Sequence, residues 1–213
     1  MDTKITLLTI ALLMCIGPVC AQVGAKSVAA APAVGTEQDN PEAVEPVAVL
    51  LGQDARAAGV QLLGRELADE YVLLTKLLNY HWNVTGPFFG PLHSLFGTQY
   101  EQAFKTVDLV AERIRALEGT PAGSMAEFLK LARLVEAPGK QVRDTQMIKD
   151  LLQDHEMIAK NLRADVVELQ KLGDGATANM LEELIIQHDK SAWMLRSLLV
   201  TQEGGKAPSS DLK

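Results

Sequence analysis

Cysteine and clusters of basic residues are what this sequence most lacks. Both cysteines, Cys15 and Cys20, fall within the first 21 residues, so disulfides cannot hold the remainder of the chain together. Lysine and arginine total 20 against 27 acidic residues, giving a formal net charge of −7, and no run of five or more basic residues occurs. Binding to a nucleic-acid backbone needs clustered lysine and arginine, so we expect no nucleic-acid partner.

A long hydrophobic run is also missing. The mainly apolar segment Ile5–Ile16 is too short to cross about 30 Å of hydrocarbon as a helix, so no membrane span is expected. It follows Lys4 and precedes small residues ending at Ala21, a pattern typical of a secretory signal peptide. The residues before Cys20 make a poor lipobox, which disfavours a lipoprotein. We predict export to the periplasm with cleavage after Ala21. The mature chain would then have no cysteine, so its core or oligomerisation must hold it together.

Strand patterns are almost absent, and helical periodicity dominates from residue 49 onward. The sequence predicts a signal peptide at 1–21, an Ala/Pro-rich flexible arm at 22–48, a helical domain at 49–200 and a flexible tail at 201–213. Apolar residues at three- and four-residue steps predict four long helices and one short one, at about 49–80, 91–117, 124–134, 145–172 and 176–200. Asp144 is the expected N-cap of the fourth segment and Gly173 its stop. The fold class is therefore all-α, a four-helix bundle with a short extra helix between the second and third members.

Bundles of this kind often hold a di-iron site in their core, built from paired Glu-x-x-His motifs. No such motif occurs here, because the positions three before His81, His93, His155 and His188 hold Leu, Gly, Leu and Ile. The sequence therefore argues against a ferritin-type di-iron site inside one bundle. His155 and His188 have acidic neighbours, and we expect them to have hydrogen-bonded structural or surface roles.

A different set of candidate metal ligands begins at the turn between the first and second predicted helices. His81 and His93 flank the turn, and by themselves they would fit a packing role at a helix corner. Asp108 and Glu112 lie four residues apart and therefore on one helical face. Carboxylate oxygens with imidazole nitrogens suit ferrous iron, zinc or manganese. His93 and Asp108 are about 22 Å apart along one predicted helix, so a shared metal requires the acids of a second chain across a two-fold contact.

The chain resembles the Dps miniferritins, a ferritin-like family, over about residues 50–200. The resemblance is carried by HWNVTGPFFGPLHSLF, QYEQAFKTVDLVAERIRALEGTPAGS, LLQDHEMIAKNLR and MLEELIIQHDKSAWMLRSLL. It implies a dodecameric shell in which His81 and His93 of one subunit face Asp108 and Glu112 of its mate. It also implies that iron is oxidised from the ferrous to the ferric state, by hydrogen peroxide or oxygen, and stored as a mineral. Zinc would be a surrogate for iron in such a site.

One position departs from the family pattern. Members commonly carry an aspartate one turn after the second histidine, whereas this chain has Gly97. A glycine supplies no ligand and weakens a helix by up to about 1 kcal/mol relative to alanine. We therefore expect one firm metal position, a weak or water-completed second position, and oxidation slower than the family norm.

Several other residues have two readings each. Trp82 fits core packing or, by the resemblance, a tryptophan that receives oxidising equivalents, while Trp193 is expected in the core. Glu168, Asp174 and Glu182 either line an iron pore or form a solvated acidic face.

Two functions remain open at this stage. The first is an exported ferroxidase and iron-storage protein that protects against oxidative stress, with His81, His93, Asp108 and Glu112 as the catalytic ligands. The second is a non-catalytic shell that sequesters iron, zinc or copper, which Gly97 favours. DNA-binding members often use lysine-rich tails, and this chain has only weakly charged ones.

Overall fold

The computed structural model describes residues 51–137 and 142–200. The predicted signal peptide, the whole predicted arm and the predicted tail lie outside these residues. Among the described residues all regular structure is helical, in five helices: α1 (Gln53–Asn83), α2 (Phe89–Ala116), α3 (Met125–Leu131), α4 (Asp144–Lys171) and α5 (Gly175–Val200). The predicted all-α class is confirmed. No helix in the described part of the chain is both long and apolar enough to span a membrane.

The ends of the helices follow the local sequence signals closely. Ser124 caps α3, since its side chain accepts a hydrogen bond from the backbone N–H of Glu127. Gly173 ends α4 with a φ of +79°, a left-handed conformation that glycine adopts without steric cost. The prediction for Asp144 was wrong by one residue, because Arg143 is the N-cap and Asp144 begins the helix. An acidic residue in the first turn still stabilises the helix through its dipole.

The four long helices form two antiparallel hairpins, α1 with α2 and α4 with α5, each joined by a short turn. Lys76 near the end of α1 contacts Asp154 in the first half of α4, so α1 and α4 also run antiparallel. Because α2 ends near the start of α1, the end of α2 and the start of α4 lie at opposite ends of the bundle, and residues 117–143 form the crossover between them. The short helix α3 lies within this crossover and packs on α1. This confirms the predicted architecture.

The core is formed by one face of each long helix. Its fully buried side chains include Leu63, Leu77, Phe96, Leu151 and Leu195, which come from α1, α2, α4 and α5. Burying a side chain of this size contributes about 1.5–3 kcal/mol. Trp193, predicted to be in the core, is instead 61% exposed on the outer face of α5. Trp193 therefore faces away from the other three long helices.

Arg133 attaches the crossover to the bundle. Its guanidinium donates to Asp69 Oδ2 at 2.7 Å, to Glu66 Oε2 at 3.1 Å and to Asp165 Oδ2 at 3.2 Å. Glu66 and Asp69 are completely buried on α1, and Asp165 is buried on α4. Backbone N–H groups of Arg133 and Leu134 also donate to Asp69. One arginine thus fixes the path of the crossover against two helices.

Lys76 and Asp154 form a second buried pair, with 2.6 Å between Nζ and Oδ2. Burial raises the pKa of Asp154 to about 6, because the loss of hydration outweighs the attraction of Lys76, which acts in the opposite direction. Between pH 4 and 6 the folded chain therefore binds more protons at this site than the unfolded chain. This contribution to the free energy of unfolding is largest in acid and falls as the pH rises through that window.

Replacing Asp154 with asparagine tests this reading. We expect the wild type to lose about 2–3 kcal/mol of stability relative to Asp154→Asn between about pH 4 and pH 7, since the amide does not titrate. Urea unfolding of both proteins at several pH values, at one fixed chain concentration, measures the difference. Asp189→Asn, at an exposed site on α5, serves as the control and should track the wild type. A pH-independent gap between wild type and Asp154→Asn would contradict the assignment.

Candidate functional site

His81 and His93 come together at the α1–α2 corner. Their rings stack with centroids 3.7 Å apart and planes inclined by 21°. The Nδ1 atom of each ring lies 2.8 Å from the backbone oxygen of the other residue. Two reciprocal hydrogen bonds therefore join the last turn of α1 to the first turn of α2.

These hydrogen bonds determine which nitrogen of each ring is free. A carbonyl oxygen can only accept, so Nδ1 must carry the proton in both histidines. In a neutral imidazole, Nε2 then holds the lone pair and is the atom able to bind a metal ion. A ligating histidine whose other nitrogen donates to a backbone carbonyl is the usual arrangement at metal sites, since it fixes the ring and its tautomer. The packing role and the ligand role considered for these histidines are thus compatible.

Gly97 lies beside this pair. A Cβ atom at Gly97 would lie 3.4 Å from Cε1 and 3.5 Å from Nδ1 of His81, which is ordinary van der Waals contact. Tyr100 meets the same ring edge-on, with centroids 5.2 Å apart, and Phe89 stacks on His93 at 5.1 Å. Position 97 therefore faces His81 and has room for at least a Cβ atom.

Asp108 and Glu112 lie elsewhere on α2, both exposed. Along the helix axis, Asp108 lies about 22 Å and Glu112 about 28 Å from His93, at about 1.5 Å per residue. Within the described residues, neither carboxylate makes a hydrogen bond or an ion pair. The structure therefore brings the two histidines together and the two acids together, but does not bring the four residues to one place within a chain.

Exposed aromatic side chains accompany both halves. Trp82 beside His81 is 69% exposed, and Phe88 and Phe89 in the turn are exposed as well. On α2, Phe104 is 65% exposed and precedes Asp108 by one helical turn on the same face. Large apolar side chains grouped with polar ones on a surface are typical of a protein interface. The core-packing reading of Trp82 does not hold within the chain.

The three residues predicted to line a pore differ in their burial. Asp174 is buried, accepts from Arg113 Nη2 at 3.1 Å and accepts from the backbone N–H of Thr177, so it caps α5 and faces no channel. Glu168 and Glu182 are exposed. They remain candidates for an acidic surface.

Sequence reasoning missed one group of polar residues. Glu66 and Glu70 of α1 meet His188 of α5 inside the bundle, and His155 of α4 is hydrogen-bonded to His188. The hydrogen-bonded role expected for the two histidines is confirmed, whereas the surface alternative is wrong because both are buried. The local sequence contained no clear signal for this cluster, because Arg65 and Asp69 make the same stretch resemble a solvated charged face.

Comparison with known proteins places these features in context. The chain matches the Ferritin family, described as a ferritin-like domain, over residues 60–203. It is 41% identical over 167 residues to an uncharacterized low temperature-induced protein of Nostoc sp., covering 76% of this chain and 93% of that protein. It is 34% identical over 140 residues to DNA protection during starvation protein 2 of Bacillus anthracis, covering 66% and 95% of the two chains.

Solved structures agree. The crystal structure of a Dps protein from Bacillus brevis superposes with a TM-score of 0.67 at 32% identity, covering 68% of this chain and 97% of that chain. The similarity therefore spans the helical bundle, including both halves of the candidate site.

Proposed function

This chain belongs to the Dps family of ferritin-like proteins, and on that premise we propose that it is an exported iron-storage ferroxidase. Its subunits would assemble in a dodecameric shell, bind ferrous iron at two-fold contacts and retain the ferric product as a mineral. One observation carries the proposal: each chain holds two complementary half-sites, a metal-ready histidine pair and an unpartnered carboxylate pair, too far apart to meet within it.

An isologous contact joins these halves, because residue i meets residue j and residue j meets residue i. His81 and His93 of one chain would then face Asp108 and Glu112 of the other, and every dimer would contain two equivalent sites. The exposed Phe104 and Trp82 supply apolar area for that contact. Neutral imidazoles and anionic carboxylates together suit ferrous iron.

The histidines and carboxylates of the proposed site bind and orient the ferrous ions that are its substrate. The carboxylates offset the positive charge of the bound iron, and the hydrogen-bonded imidazoles hold it in a fixed direction. In the overall reaction, hydrogen peroxide takes one electron from each of two ferrous ions, its O–O bond breaks and, with two protons, it leaves as two water molecules. Removing ferrous iron and peroxide together accounts for protection against oxidative stress.

The proposal is tested by adding ferrous iron and peroxide to purified shells and following ferric absorbance. We expect the double variant His81→Ala, Asp108→Ala to fall to the rate of iron in buffer, because both half-sites have lost a ligand. Glu183→Ala, which removes an exposed carboxylate from α5, is the control and should keep the wild-type rate. Equal rates for the wild type and the double variant would reject the proposal.

The alternative is a shell that holds metal ions without turning them over. Gly97 favours it, because this position beside His81 supplies no ligand. Metal content after anaerobic loading with ferrous iron and then exposure to peroxide separates the two functions. A sequestering shell keeps a few ions per subunit, whereas a storage shell accumulates a mineral core.

Substituting Gly97 gives a gain-of-function test. Compared with the wild type, we expect Gly97→Asp to bind ferrous iron at least about tenfold more tightly and to oxidise it faster. The reason is that aspartate adds a charged ligand next to His81. Gly97→Asn has nearly the same shape without the charge and is the matched control. Ferrous binding measured anaerobically, together with initial oxidation rates, gives the result. Equal behaviour of the two variants would show that position 97 does not reach the metal.

A further inference from the structure

A buried polar cluster lies inside the bundle, away from both half-sites. Glu66, Glu70 and His188 each offer one ligand atom, and these three atoms lie within 4.8 Å of one another. No other group of three or more His, Cys, Asp or Glu ligand atoms is this close in residues 51–137 and 142–200. Glu66 and Glu70 are at most 1% exposed and His188 is 5% exposed. The two carboxylates are four residues apart on α1, so they point in the same direction, toward α5.

Most of these polar atoms have no partner. Oε1 of Glu66 and both oxygens of Glu70 are buried without a hydrogen bond, as are Nε2 of His155 and both side-chain polar atoms of Gln99. His188 Nε2 lies 2.8 Å from Glu70 Oε1, but the contact lacks hydrogen-bonding geometry. Folded proteins rarely leave buried polar atoms unpaired, and several in one place indicate a bound ion or water.

The charge of the cluster favours a cation. Arg133 neutralises part of it, since Nη2 donates to Glu66 Oε2 at 3.1 Å, whereas the neighbour of Glu70 is the imidazole of His188, with 2.8 Å between Nε2 and Oε1. Two carboxylates buried side by side on one helix face repel each other when both are ionised. A divalent ion would remove that repulsion and use Oε1 of Glu66, the oxygen that Arg133 leaves free.

His155 completes the arrangement behind His188. Their Nδ1 atoms lie 2.9 Å apart, so one donates and the other accepts. If His188 Nδ1 donates, its Nε2 carries a lone pair and lies 2.8 Å from Glu70 Oε1. In that arrangement Nδ1 of His155 accepts and its Nε2 carries the proton. This is how an outer partner commonly orients a metal-binding histidine.

A cleft of about 280 Å³ leads to the cluster. It lies between α2 and α5 and is lined by Glu70, Gln99, His155 and His188. A hydrogen bond of 2.8 Å between the exposed side chains of Gln102 and Gln187 joins α2 to α5 beside it. The cleft supplies both a route for a hydrated ion and space for a water ligand.

We propose that Glu66, Glu70 and His188 bind one divalent transition-metal ion within each subunit, with His155 as a positioning residue. Metal–ligand distances of about 2.0–2.2 Å place two ligand atoms no more than about 4.4 Å apart, so small carboxylate rotations close the site. Two carboxylates and one imidazole leave a coordination position open toward the cleft. The donor set differs from the paired Glu-x-x-His arrangement, because both histidines lack a glutamate three residues earlier. The site is independent of the proposed two-fold ferroxidase centre.

Cobalt and zinc titrations of metal-depleted shells test the proposal. The Asp108→Ala, Glu112→Ala background removes the carboxylates of the two-fold site, so any remaining specific binding is elsewhere. We expect about one ion retained per chain after gel filtration, a visible cobalt spectrum typical of protein ligands and a higher melting temperature with zinc. Absence of stoichiometric binding would overturn the proposal and leave a water-filled cluster.

Isosteric variants in the same background identify the ligands. Glu70→Gln and, separately, Glu66→Gln should reduce the retained ion to near zero and abolish the zinc-dependent shift, while Glu183→Gln should change neither. Retention by both glutamine variants at the level of Glu183→Gln would overturn the assignment. The two variants give independent results if one of them does not fold. With Asp108 and Glu112 intact, Glu70→Gln should keep its rate of iron oxidation, which separates this site from the proposed ferroxidase.

The positioning role of His155 predicts a graded result. His155→Leu removes the partner of His188 and should weaken binding by about 10–100-fold. His155→Asn keeps a polar atom near the place of Nδ1 and should recover most of the affinity. Equal weakening by leucine and asparagine would indicate that His155 only fills space.

Discussion

Shells formed from equal amounts of His81→Ala chains and Asp108→Ala chains are expected to oxidise ferrous iron at about a quarter of the wild-type rate, whereas shells of either variant alone are expected to be inactive. The reason is the two-part construction of the proposed site. In a mixed dimer, one site combines the intact histidines of one chain with the intact acids of the other. The second site in the same dimer combines two damaged halves.

Random pairing makes half of the dimers mixed, and each mixed dimer has one active site of two, which gives about a quarter of all sites. Co-expression with two affinity tags isolates the mixed shells, and ferric absorbance after addition of peroxide measures their rate. A mixture of Asp108→Ala chains with the double variant His81→Ala, Asp108→Ala is the control, because no pairing in it restores a site. No recovery in the first mixture would mean that the histidines and acids do not meet between subunits.

Arg133→Met is expected to destabilise the folded chain by about 3–5 kcal/mol, the range seen when one partner of a buried ion pair is removed. Methionine retains most of the side-chain volume but leaves Glu66, Asp69 and Asp165 without their shared cation. Two of these carboxylates are completely buried, so water cannot replace the lost hydrogen bonds without local opening. Urea unfolding at a fixed chain concentration measures the loss.

A matched exposed pair shows whether burial is the cause. Arg163 lies 2.6 Å from Asp189, as close as a good ion pair allows, but both side chains are about half exposed. Arg163→Met should cost no more than about 1 kcal/mol, since exposed ion pairs contribute little. Similar losses for the two variants would show that the Arg133 network does not depend on burial.

The sequence predicted the bundle because each of its signals is local. Periodic apolar residues predicted α1, α2, α4 and α5 to within a few residues, and Gly173 predicted the end of α4. The proximity of His81 and His93 could also be predicted, since they flank one short turn. Trp193 was misplaced because periodicity gives the spacing of a helical face without showing which face turns inward.

The buried cluster could not be predicted in the same way. Glu66, Asp69 and Glu70 are spaced like a solvated acidic stripe, and only the packing shows that they are buried. Their partners, Arg133 and His188, lie more than 60 residues further along the chain. Paired Glu-x-x-His motifs are one way to place carboxylates and imidazoles at a bundle centre, and this chain places them there without those motifs.

The reciprocal hydrogen bonds between His81 and His93 determine at which stage the entropy of the two imidazole rings is lost. The backbone of each histidine holds the ring of the other in the folded chain. If iron binds as proposed, the loss of side-chain entropy, about 0.5–1.5 kcal/mol per residue, has therefore already occurred on folding. What is left to organise is the encounter of two chains. Affinity for iron should therefore follow protein concentration: a dilute, dissociated subunit would hold its imidazoles in place yet remain unresponsive to iron until a second subunit brought the carboxylates.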